Sequence, residues 1–62
     1  MSTPQELREQ ADRLIEDACA NVKAAPREPI YRHELIAEAY ELNSQARRLY
    51  AQAHRIERQA KA

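Results

Sequence analysis

His33 is followed directly by Glu34, the opening of the zinc-hydrolase helix pattern in which a second histidine four residues on completes the site. Position 37 is Ala, so only one imidazole faces that site. The Glu-x-x-His spacing of a di-iron bundle also fails, because Ile30 and Ala51 stand three residues before His33 and His54. The two histidines lie 21 residues apart, about 31 Å along one helix, and cannot share an ion within one chain. Cys19 is the single cysteine, so no intrachain disulfide is possible. Asp12, Glu16 and Asp17 surround it, the opposite of what a thiolate nucleophile needs, and packing beside Ile15 and Val22 is the expected role. The chain has no glycine, which removes phosphate-cradling loops, dinucleotide turns and nucleophile elbows. No metal, cofactor or enzymatic activity is expected.

Charge offers a second kind of chemistry. Ten bases balance ten acids, yet residues 1–45 hold nine acids and five bases while residues 46–62 hold five bases and one acid. Arg47, Arg48, Arg55, Arg58 and Lys61 form an outward stripe able to track a phosphate backbone. The same cations suit a helix C-terminus, and Arg47 and Arg48 would lie beside the acidic opening of an antiparallel neighbour, Glu6, Glu9 and Asp12. With zero formal net charge and no aromatic near the stripe except Tyr50, RNA or DNA binding is the alternative reading rather than the leading one. Glu34, Glu38 and Glu41 read as a solvated acidic face.

These side chains are positioned by helices. Thr3-Pro4-Gln5-Glu6 is a helix start, with Thr3 at the N-cap, Pro4 at the first position and Glu6 completing a capping box. Leu7, Ala11, Leu14, Ala18 and Ala25 then keep one face apolar, with Ile15 and Val22 beside it. Pro26 and Pro29 interrupt the chain. From there to the C-terminus no Pro or Gly occurs, and Leu35, Ala39, Leu42, Ala46, Leu49, Ala53, Ile56 and Ala60 alternate spacings of four and three. The expected fold is all-α: a single helical-hairpin domain over residues 1–62, with helices at about 4–25 and 30–61 and a turn at 26–29. Alanine facing leucine across the antiparallel pair brings the backbones close together.

The chain is short of core. Twelve of its 62 residues are Ala, only ten are Leu, Ile or Val, and there is no Phe or Trp. Folding about the turn sets Leu7 near Arg48 and leaves roughly ten residues after Ala51 unpartnered, although Ala53, Ile56 and Ala60 continue the seam. A second chain on that seam is the simplest remedy, giving a homodimeric four-helix bundle. Tyr31, Ile36, Tyr40 and Tyr50 lie off the seam on one side and form the expected partner-binding patch. The absence of a membrane-length apolar run and of a signal-like start leads to the expectation of a cytoplasmic protein without a membrane partner. The leading functional reading is a small non-enzymatic protein-interaction module, such as an adaptor, inhibitor or assembly subunit.

Overall fold

The computed structural model describes residues 2–61. Thr3 lies in extended backbone, and its Oγ1 accepts a hydrogen bond from the Glu6 backbone N–H at 3.1 Å. That bond satisfies one of the free N–H groups of the first helical turn, and Pro4 has none to satisfy. Helix α1 follows as Pro4–Ala24, with Lys23 in its last turn, where a cation meets the negative end of the helix dipole.

Two successive turns reverse the chain. Ala25–Arg27 form one 3-10 turn. The Tyr31 N–H then donates to the Glu28 carbonyl at 3.1 Å, closing a second turn with Pro29 at the position that its fixed φ favours. Neither turn requires the left-handed region, and no described residue has a positive φ, so the connection is built without glycine. Leu35 N–H donates to the Tyr31 carbonyl at 2.9 Å and opens helix α2, Arg32–Lys61. The second helix starts two residues after its expected beginning because Pro29 to Tyr31 belong to that turn.

The helices pack against each other as an antiparallel hairpin, a rod of 50 × 15 × 14 Å. Its radius of gyration is 14.5 Å, against about 11 Å for a compact domain of this length. Ala11, Ala18, Ala25, Ala39, Ala46 and Ala53 are buried, joined by Leu7 as the one large buried side chain among the described residues. Leu14, Leu35, Leu42, Leu49 and Ile56 are half-buried. The cause is geometric: alanine lets the backbones occupy the centre of the interface, the leucines lean outward along its edges, and a third layer is absent from the hairpin. Neither helix is long and apolar enough to cross a membrane.

The overhang is shorter than helix-length arithmetic gives. Ala53 is wholly buried by its own chain, so it is closed to a second one, and Arg8 forms an ion pair with Glu57. Helical side chains lean toward their own N-terminus, so in an antiparallel pair Arg8 reaches outward while Glu57 reaches back. The intrachain seam therefore extends to Glu57. Ile56 is half-buried within it, and only Ala60 lies exposed beyond it.

Ala46, fully buried at mid-seam, tests the close approach. Replacing it with Leu is expected to cost about 1–3 kcal/mol by overpacking. The same change at exposed Ala51 should stay within about 0.5 kcal/mol. Urea melts of the two variants check this, and equal losses would show that alanine does not set the helix separation.

Candidate interaction face

Ile36, Asn43, Tyr50 and Glu57 recur every seven residues along one edge of α2, and α1 faces that edge with Arg8, Asp12, Ile15, Cys19 and Val22. The two halves of this flank differ. Toward the open end it is tied by polar contacts: Arg8 pairs with Glu57, and the Tyr50 hydroxyl donates to Asp12 Oδ1. Toward the turn it is apolar and open. Val22, Ile36, Ala39, Tyr40 and Asn43 line a groove of about 310 Å³. Ala18, Cys19, Val22, Lys23 and Asn43 line a second one of about 220 Å³. Val22 and Asn43 line both, so the two grooves adjoin.

Exposure divides the four residues expected to act as one patch. Tyr40 is 72% exposed and Ile36 36%, and both border the groove with Val22 at 54%. Tyr50 is only half-exposed and spends its hydroxyl within the chain, so it closes the hairpin. Tyr31 is exposed on the turn, beside Ile30, rather than in the groove. Cys19 is exposed on the same flank rather than packed, because its helical position falls one step outside the Ala11–Ala18 seam. Val22 and Cys19 join the site from α1; their signal in the sequence is that they flank the α1 seam as Ile36 and Tyr40 flank that of α2.

Asn21 occupies the place in α1 where the repeat would put leucine. Its side-chain amide donates to the Leu35 carbonyl at 3.3 Å, fixing the end of α1 against the first turn of α2. A polar group at such a position favours one register over its neighbours.

The basic residues present a different surface. Arg47, Arg48, Arg55, Arg58 and Lys61 are exposed, and Arg8 with Glu57 is the only ion pair within 4.0 Å among the described residues. The expected compensation of Arg47 and Arg48 by Glu6, Glu9 and Asp12 is therefore not made at contact distance; Asp12 is taken by Tyr50. His54, Arg55 and Arg58 border one shallow depression on α2. His33 is exposed on its own helix, and no three His, Cys, Asp or Glu side chains converge on a metal position among the described residues. Compared with protein-family models, curated proteins and solved structures, the chain matches none.

The hydrogen bond to Asp12 raises the Tyr50 phenol above its ordinary pKa, with lost hydration and the Asp12 charge adding to it. A pKa raised by folding contributes stability that is full below the unfolded value, about 10, and is lost as pH rises through the folded value. The gap in melting temperature between wild type and Tyr50→Phe should hold constant from about pH 7 to 9 and narrow above about 10. Circular-dichroism melts across that range check it. A gap unchanged at high pH would show that Tyr50 acts through its ring alone.

Proposed function

We propose that the protein is a non-enzymatic interaction module that works through the turn-side half of one flank, with Tyr40 and Ile36 as anchors. The observation that carries this reading is the exposure of Tyr40, Val22 and Ile36 around one apolar groove, with a second adjoining it at Val22 and Asn43. A tyrosine ring offers large contact area for few rotatable bonds, and such rings carry a disproportionate share of interface energy. Charge is missing from the α2 side of this face. Ile36, Ala37, Tyr40, Asn43 and Ser44 follow one another along this edge of α2 without a charged residue, in a chain where 20 of 62 residues are charged. Pairing of hairpins into a four-helix arrangement is the form of association that a helical flank of this kind favours.

A second reading rests on the five exposed cations near the C-terminus, whose guanidinium and ammonium groups are free to meet phosphates. The two readings separate cleanly. In nuclease-treated lysate, tagged wild type is expected to sediment within a complex, Ile36→Ser with Tyr40→Ser to return to the mass of a single chain, and Arg55→Glu with Arg58→Glu to leave the complex intact. Nucleic-acid binding would give the reverse: a complex lost to nuclease and to charge reversal, indifferent to the tyrosine, and weakening steeply with salt.

A further inference from the structure

The cations near the C-terminus share one face of α2. With about 3.6 residues per turn, Arg47, Arg48, Arg55 and Arg58 fall on the side turned away from the seam, over a length of about 16 Å. Lys61 flanks them one turn on, and all five are exposed. Ala51 lies at the middle of this face. Arg47, His54 and Arg58 stand to one side of it and Arg48 and Arg55 to the other, and two shallow depressions, one beside His54 and Arg58 and one beside Arg48 and Gln52, meet at Ala51 and Arg55. The face therefore has a low centre between two basic edges. No acid interrupts it: Glu57, the one acid of residues 46–62, pairs with Arg8 on the flank, and Glu6 and Glu9 project from the outward side of α1, across the rod.

The chemistry of the face selects its anion. Four of the five cations are arginines, whose planar forks match phosphate oxygens. A lipid surface is disfavoured because the large apolar residues of this segment, Leu49 and Ile56, are turned toward the seam and leave nothing on the outward face to enter the bilayer. A single strand is disfavoured because no ring offers a base a stacking platform, Tyr50 being held by Asp12. A helix is about 10–12 Å across and the major groove of B-DNA about 12 Å wide, so basic edges on either side of an alanine centre meet the phosphates that border the groove. The major groove of duplex RNA is too deep and narrow for that approach. Residues 15–45 hold six acids and three bases, so the turn-side half is repelled and the duplex crosses the rod at its basic end.

We propose that the outward face of α2 from Arg47 to Lys61 binds duplex DNA, with α2 at the mouth of the major groove, α1 behind it, and the arginines on the phosphates of the two strands. This rests on the second reading of the cations, as phosphate contacts, and names the form of nucleic acid they take. Ala51 at the centre offers no hydrogen bond to a base edge, so binding is largely independent of sequence. Tyr40 lies about 22 Å along α2 from Arg55, and a protein on the flank and DNA on this face can be held at once.

Purified full-length protein would be titrated into a fluorescently labelled 20-base-pair DNA duplex over a salt series and followed by anisotropy. The matching RNA duplex, the single DNA strand and phosphatidylserine vesicles would serve as competitors. Wild type is expected to bind the DNA duplex at micromolar concentration, with log affinity falling against log salt at a slope of about −4.5 for five phosphate contacts. Arg48→Gln with Arg55→Gln should make that slope shallower by about two and weaken binding by some tens of fold at about 0.1 M salt. Arg27→Gln with Arg32→Gln removes the same charge from exposed positions at the turn and should leave binding nearly unchanged, as should Tyr40→Ser. Equal losses in the two arginine pairs would overturn the face, since binding would then follow net charge. Competition by the single strand or the RNA duplex as strong as by the DNA duplex would overturn the choice of DNA while leaving the cations as phosphate contacts. Binding to vesicles without binding to DNA, or no binding to any nucleic acid at about 0.05 M salt, would overturn both the proposal and the reading on which it rests, and leave the flank untouched.

Discussion

Close approach of two helix backbones across alanine is the constraint on which the rest of the molecule depends. Ala11, Ala18, Ala39, Ala46 and Ala53 are all buried, and no larger residue at those positions would leave room for the opposing backbone. The arrangement gives many short contacts but little buried volume. Leu14, Leu35, Leu42 and Leu49 then finish half in solvent, since they line the edges of a two-helix layer instead of filling a space between layers. The exposed apolar flank is thus a consequence of the seam: a hairpin this tightly closed has no interior large enough to take Val22, Ile36 and Tyr40.

A seam made of one repeated pair is also nearly degenerate in register. Shifting α2 by seven residues would again put Ala against Leu, so the apolar repeat alone does not choose between alignments. The choice falls to features that occur once. The double turn from Ala25 to Tyr31 sets the starting point, Asn21 ties α1 to the Leu35 carbonyl, and Tyr50 with Asp12 and Arg8 with Glu57 tie the far end. Each contact is modest and partly exposed. Their value lies in being spread along the rod, so that a slipped alignment would lose several of them together.

The pattern of the chain made the helices, the Thr3 cap and the Leu/Ala seam legible, because periodicity and capping are local properties that a sequence states directly. What it did not state depends on side-chain reach and on the angular position of a residue beside a seam. Helix lengths alone left residues after Ala51 unpartnered, whereas the opposite lean of Arg8 and Glu57 carries the contact further. Tyr50 and Tyr40 share a side of α2, yet only Tyr50 has a carboxylate within reach across the seam, so one closes the hairpin and the other stays open. Cys19 and Asn21 flank the same face of α1, and the exposure of the thiol, where packing was the expected role, beside an amide turned inward follows from their different angles around the helix.

A formal charge of zero conceals a strongly polarised rod. The turn-side half holds an excess of acids and the C-terminal segment an excess of bases, and the antiparallel fold separates the two along a 50 Å axis. Only Arg8 and Glu57 meet at contact distance among the described residues, so most of this charge works at ranges near the Debye length, about 8 Å at physiological salt. Forces of that range add little to the stability of one hairpin but bear on how rods approach each other, since they favour opposed over aligned neighbours before any side chain touches. On the proposed reading of the flank as an interaction surface, Val22, Ile36 and Tyr40 supply the short-range attraction that charge alone lacks.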